Sequence, residues 1–179
     1  AEGSARNVLG IIDDIMAGAR APGGEIPVNR EPFDMAVLVR GCLDELRPFA
    51  GQSDHVLSVG GAESLATSVL DPTLVRRIIS NLLVNACRHT PAGCHIEVLC
   101  AAVDGGCEVR VNDDGPGLPR SVAERIQQDG GGGLHERAQV GSGLGLPFCK
   151  LACRALGGSI RVIDAERDGT RIVVELPAD

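Results

Sequence analysis

Apolar residues in this 179-residue chain recur with two periods, about 3.6 in some stretches and 2 in others. Val8, Leu9, Ile11, Ile12, Ile15, Met16 and Ala19 fall at helical spacing with Asp13 and Asp14 opposite, which predicts an amphipathic helix ended by Ala21-Pro22-Gly23-Gly24. A helix this short needs something to pack on. Val28 to Phe33 reads as extended, with Asp34 as N-cap of a helix from Met35 to about Leu46 and Pro48 as its stop. His55 to Val59 and Leu65 to Leu70 read as strands on either side of Gly60-Gly61.

The strongest helical pattern comes next. Asp71 stands as its cap and Pro72 at its first turn, and Val75, Ile78, Ile79, Leu82, Leu83 and Ala86 form one apolar stripe running down to His89. Thr90-Pro91-Ala92-Gly93 closes it. Cys94 to Val103 and Cys107 to Asn112 predict a hairpin over Asp104-Gly105-Gly106. A loop-rich stretch from Asp113 to Gly145 holds a capping-box pattern, Ser121-Val122-Ala123-Glu124, and the flexible run Gly130 to Gly133. A helix from about Pro147 to Leu156 ends at Gly157-Gly158, and Ser159 to Ile163 and Arg171 to Leu176 are strands joined across Asp168-Gly169. This order predicts an α+β fold, a two-layer sandwich with helices on one face of a mixed sheet.

Charge and composition narrow the function. There are 24 acidic and 17 basic side chains, a formal net charge of -7, and such a field repels a phosphodiester backbone. Three Phe and no Tyr or Trp leave no stacking platform for single strands, so nucleic acid is not an expected partner. The seven cysteines are odd in number, form no C-x-x-C pair and lie in apolar runs, as reduced core thiols of a cytosolic protein would. Cys149 and Cys153 are four apart on one helix, but with no His or second pair nearby they read as packing rather than a metal site. No apolar run approaches the ~20 residues of a membrane span, and no basic-then-apolar leader opens the chain, so no membrane contact is expected of it. The missing initiator Met suggests a fragment.

Candidate chemistry gathers on one helix and two glycine-bearing loops. Asn81 and Asn85 are four apart and Arg88 three further on, all off the apolar stripe, so one face offers two carboxamide oxygens for a hard cation and a cation for phosphate. Gly141-Ser142-Gly143-Leu144-Gly145 runs straight into a helix, whose N-terminal amides are a natural phosphate cradle.

Asn81-Leu-Leu-Val-Asn85-Ala-Cys-Arg88, Asp113-Asp-Gly115-Pro-Gly117-Leu and Gly141-Ser-Gly143-Leu-Gly145-Leu occur in this order. The set resembles the N, G1 and G2 boxes of the catalytic ATP-binding domain of bacterial sensor histidine kinases, over roughly Glu31 to Pro177. That domain belongs to the Bergerat-fold superfamily, with gyrase-type and mismatch-repair ATPases. The resemblance implies ATP and Mg²⁺ as ligands. Asn85 would hold Mg²⁺ with help from Asn81, Arg88 would meet the polyphosphate, and His89 would lie along the ribose and phosphates. Asp113 would accept from the adenine amino group, with Thr170 supporting it. Gly115 and Gly117 would let the chain pass under the base, while Gly141, Ser142, Gly143, Leu144 and Gly145 would wrap the phosphates.

Hydrolytic members of the superfamily carry Glu four residues before the Mg²⁺-binding Asn; here that residue is Asn81, no base at neutral pH, so phosphotransfer is expected over hydrolysis. In the resembling kinases the acceptor is a histidine on a dimerisation helix. None of His55, His89, His95 and His135 lies in such a helix, so the acceptor is expected upstream. The implied organisation is the end of a dimerisation helix over residues 1–20, a linker over 21–30 and the catalytic domain over 31–179. The implied partners are the dimerisation domain, a response-regulator receiver domain and a second copy in the full-length homodimer. Two departures stand out: Pro119 to Val140, the lid in the resembling kinases, contains no Phe, and Arg88 replaces the commoner Lys. A degenerate nucleotide-binding or scaffolding module, or a serine kinase acting on a small antagonist protein, would share the same three boxes.

Overall fold

The computed structural model describes residues 26–61, 67–118, 123–124, 145–164 and 169–178. The Val8 to Ala19 helix and the Gly130 to Gly133 run lie outside these residues, and of the Ser121 to Glu124 box only Ala123 and Glu124 are described, both helical. Strand β1 (Glu31–Asp34) leads into helix α1 (Met35–Ala50), a 3₁₀ turn (Gly51–Ser53), β2 (Val56–Gly60) and β3 (Thr67–Leu70). Helix α2 (Pro72–His89) follows, then β4 (His95–Val103), β5 (Gly106–Asp113), α3 (Gly145–Ala155), β6 (Ser159–Asp164) and β7 (Thr170–Pro177).

Five strands form one sheet in the order β2-β4-β5-β7-β6. The β2–β4 pair is parallel and the other three are antiparallel, so the sheet is mixed as expected. Its inner face carries Ile96, Val98 and Cys100 on β4, Val109 and Val111 on β5, Ile172, Val174 and Leu176 on β7, and Val162 on β6, all buried. These rows share one core with the apolar faces of α1, α2 and α3. The opposite face is charged: Arg161 bridges Glu108 and Glu175, and Arg110 also pairs with Glu108. Val173, fully buried, stands in register between Arg110 and Arg161 on that outer face. The strands flanking Gly60-Gly61 separate: β2 joins the large sheet and β3 pairs antiparallel with β1 in a two-stranded ribbon. At Gly61 (φ +71) a Cβ would stand 2.1 Å from the Cys100 carbonyl oxygen, so the chain leaves the sheet at a residue that must be glycine.

The helix boundaries follow their caps. Asp34 caps α1 by accepting from the Val37 amide at 3.0 Å. The expected stop at Pro48 does not occur, and α1 runs on to Ala50. Pro48 lies in the last turn, where the bond it forfeits would have gone to the carbonyl of exposed Asp44; Ala50, 1% exposed, anchors that turn, and the Gly51 amide closes it onto Arg47. Helix α3 starts at Gly145 rather than Pro147, because proline in a first turn lacks only an amide that would have no intrahelical acceptor. It ends with Gly157 at φ +81, the Gly158 amide on the Cys153 carbonyl (2.8 Å) and the Gly157 amide on Arg154 (3.0 Å), the paired bonds of a Schellman motif.

All seven cysteines are free and six are buried. Burial pushes the thiols of Cys87 and Cys100 up to about 11 and that of Cys153 to about 12, so they stay protonated and pack as small hydrophobes. Cys149 donates to the Ile78 carbonyl at 3.7 Å, a packing role as expected.

Asp71 ties the N-terminal segment to α2. Its Oδ1 accepts from the amides of Thr73 and Leu74, both at 3.0 Å, and its Oδ2 accepts from Asn29 at 2.8 Å. Ile26, 8% exposed, joins the core just upstream. Asp71→Ala is expected to cost about 1 to 2 kcal/mol for the cap and ~1 kcal/mol or more for the Asn29 amide left without its acceptor. Urea unfolding will measure it, and Asp71→Asn should recover most of the cap contribution but less of the Asn29 bond.

Candidate nucleotide site

The buried stripe of α2, from Leu74 and Val75 to Ala86 and Cys87, fixes the helix's rotation. Asn81 and Asn85 are thereby left half-buried at the core's rim, with Arg88 and His89 exposed in the last turn. Helix α3 begins against this pair: a Cβ on Gly145 would have Asn81 Oδ1 at 3.4 Å and Asn85 Nδ2 at 3.5 Å. The structure therefore brings Asn81, Asn85 and Gly145 together, with the N-terminus of α3 beside two carboxamides. Gly141, Ser142, Gly143 and Leu144 lie outside the described residues, as does His135.

The second half of the site is the end of the sheet. Asp113 continues the inner row Cys107-Val109-Val111 of β5, and Thr170, paired with it in register, continues the row Ile172-Val174-Leu176 of β7. Asp113 is thus the point at which an apolar row turns polar. Its Oδ1 accepts from the amides of Gly115 (3.1 Å) and Thr170 (3.3 Å). Burial raises the Asp113 carboxyl above its ordinary value, and the hydrogen bonds from Gly115 and Thr170 oppose that rise. Asp114 turns outward instead and accepts from the His95 amide at 2.8 Å. His95 is exposed, with its Nε2 2.8 Å from Ser58 Oγ.

Two residues not anticipated from sequence complete this half. Gly169 has φ +100, and a Cβ there would lie 1.8 Å from the Asp113 carbonyl oxygen, so only glycine lets β7 enter beside Asp113. Thr90, just past α2, packs on the loop after Asp113: a Cβ on Gly115 would meet Thr90 Cγ2 at 2.6 Å. Thr90 is held by its own hydroxyl, which donates to the Ala86 carbonyl at 2.8 Å. Gly117 takes φ +81 in that loop. The helix bearing Asn81, Asn85 and Arg88 is in this way joined to the loop that follows Asp113.

Among the described residues no three His, Cys, Asp or Glu side chains stand together to hold a metal ion. Two carboxamide oxygens suit a hard cation that keeps most of its shell as water and phosphate oxygens, which is how Mg²⁺ usually accompanies a polyphosphate. Among the described residues no helix is long and apolar enough to cross a membrane.

Residues 70–179 match the family model of histidine kinase-, DNA gyrase B- and HSP90-like ATPases, and the chain belongs to that family. The adaptive-response sensory kinase SasA of Synechococcus sp. (strain JA-3-3Ab) is 30% identical over 173 residues, 96% of this chain and 46% of SasA. The chain therefore spans less than half the length of that relative. The solved structure of the mycobacterial sensor histidine kinase MprB matches with a TM-score of 0.68 and 28% identity, over 83% of this chain and 97% of that one. Full-length ShkA, solved in complex with AMPPNP, matches with a TM-score of 0.80 and 25% identity, over 98% of this chain and 36% of ShkA. The mixed sheet with helices on one face is the fold of these histidine kinase catalytic domains.

The raised Asp113 value has a definite sign for stability. The folded state binds this proton more tightly than the unfolded chain, so the group's contribution to stability grows as pH falls through the folded value, the reverse of an ion-paired carboxylate. Carboxyl NMR titration should show Asp113 above the ordinary Asp range. Thr170→Val, which removes a hydroxyl bond but keeps the Thr170 amide, should move it higher still.

Proposed function

We propose that the chain binds Mg-ATP and passes the γ-phosphate to a histidine on a dimerisation helix upstream, as the catalytic domain of a two-component sensor histidine kinase. The observation that carries this reading is Asn81 in place of a carboxylate, half-buried beside Asn85 and Gly145. An amide there cannot take a proton from water, so attack falls to a nucleophile brought from outside. The family membership and the sensory kinases among its relatives support the same reading.

In this proposal Asp113 accepts from the adenine amino group. Its Oδ1 is already held by two backbone amides, which orients Oδ2 for the base. Gly115 and Gly117 let the loop lie close under the ring. Asn85, with Asn81, holds Mg²⁺, which when bound neutralises charge on the phosphates; Arg88 and His89 reach the polyphosphate and ribose from the last turn of α2. Gly141 to Gly145 cradle the phosphates at the N-terminus of α3. An acceptor imidazole nitrogen bonds to the γ-phosphorus as the bond to the bridging oxygen breaks, and ADP leaves with that electron pair. The imidazole proton passes to a neighbouring carboxylate upstream. The product is an acid-labile phosphohistidine for a response-regulator receiver domain, and the full-length protein works as a cytoplasmic-facing homodimer.

Labelled ATP added to this chain with a separately produced dimerisation domain should place acid-labile phosphate on that domain. Nucleotide binding without transfer would instead favour a scaffolding module. Asn85→Ala should lower transfer by roughly a hundredfold or more with an unchanged melting temperature, since Asn85 lies outside the core; a large drop in melting temperature would make it structural.

Asp113→Asn should weaken Mg-ATP by about 1.5 to 3 kcal/mol. Calorimetry across acidic pH should show wild-type affinity falling more steeply than that of the Asn variant as Asp113 takes up its proton, at a higher pH than an ordinary carboxylate would set.

A further inference from the structure

One turn before Asn81, in the same row on α2, stands Arg77. Its guanidinium carbon lies 4.6 Å from the ring centroid of Phe148, within the range of a cation–π contact. Phe148 is 3% exposed and lies three residues after Gly145 on α3. The Arg77 contact therefore sits one helical turn below the place where Gly145 meets Asn81 and Asn85.

Consecutive arginines on α2 reach to opposite neighbours. Arg76 Nη1 pairs with Glu45 of α1 at 3.0 Å, with both side chains well exposed, and such a pair contributes little. Arg77 is half-buried against an aromatic face, where a cation is attracted with less competition from water. The next residue of α3, Cys149, donates to the carbonyl of Ile78, the next residue of α2. The first turn of α3 is thus held to α2 at adjoining positions, one contact electrostatic and one a weak hydrogen bond.

We propose that Arg77 is a positioning residue for the nucleotide site: by lying on Phe148 it sets the depth and tilt of the first turn of α3, and so keeps Gly145 and the helix N-terminus against Asn81 and Asn85. The inference rests on the reading of that site as the one that binds Mg-ATP. Gly145 has no side chain to make a contact of its own, so its placement depends on what grips α3 a turn further in. A displacement of 1 Å at a binding or reacting group can cost two orders of magnitude in rate.

The test uses the full chain and the variants Arg77→Met, which keeps an unbranched side chain without charge, Arg77→Lys, which keeps the charge, Phe148→Leu, which keeps an apolar filler without a ring face, and the Met/Leu double variant. Calorimetry with Mg-AMPPNP should show Arg77→Met and Phe148→Leu each roughly three- to thirtyfold weaker. The double variant should lose less than the sum of the two single losses, because the two changes share the Arg77–Phe148 contact. Lys should recover most of the affinity. In the nucleotide-free chain, Arg77→Met should speed amide exchange at Cys149 and Lys150 by a similar factor and leave Ala152 and Cys153 as in the wild type.

Additive losses in the double variant, or unchanged exchange at Cys149 and Lys150, would overturn the proposal and make the contact ordinary packing. If Phe148→Leu does not fold, the Met-against-Lys comparison at Arg77 decides alone. A wild-type chain that binds no Mg-AMPPNP would overturn the ATP reading, and the exchange measurement would still decide whether Arg77 holds the first turn of α3.

Discussion

Helix α2 buries a continuous stripe from Leu74 to Cys87 among the sheet, α1 and α3, and the rest of the molecule depends on that burial. It sets the helix's rotation about its own axis. A rotation of one residue, about 100°, that carried Asn81 and Asn85 into the places of Leu82 and Ala86 would bury both carboxamides and push Leu83 and Cys87 out to the places of Val84 and Arg88. Core packing and site geometry are therefore one constraint. The Asp71 cap and the Thr90 closure fix where along its axis the helix begins and ends.

The two halves of the site use different physics. On α2 and α3, polar groups lie at the rim of a packed interface and are placed by helix contact. At the end of the sheet, Asp113 is placed by strand register with Thr170 and by two amides on one carboxylate oxygen. Desolvation works against its charge while those bonds support it, and the balance leaves a half-buried acceptor aimed by the backbone. Such an acceptor suits recognition of a neutral donor, because it reads hydrogen-bond direction.

Much of this was legible in the sequence where the signal is local. Asp71-Pro72 and the stripe behind them mark α2 to its last residue, and the spacing of Asn81, Asn85 and Arg88 puts them on one face. The Asp104-Gly105 hairpin and the Gly157-Gly158 helix end follow from turn chemistry. What was not legible is set by tertiary contacts. Pro48 reads as a stop unless the burial of Ala50 is known, and the pairing of β1 with β3 and of β2 with β4 joins segments that no local pattern links. Gly169 reads as a hairpin turn, since nothing nearby in sequence tells that the Asp113 backbone passes beside it. Arg77 carries no signal in the sequence, because the ring it lies on, Phe148, belongs to another helix.

Gly169 also bears on how such a site can change over generations. Every amino-acid replacement there adds a Cβ, and the backbone oxygen in its way belongs to Asp113. A lineage could exchange the side chains that greet the ligand one at a time and keep a folded domain. At Gly169, which carries no side chain at all, each missense change instead displaces Asp113 itself, so purifying selection should fall as heavily on this silent neighbour as on the residue it makes room for.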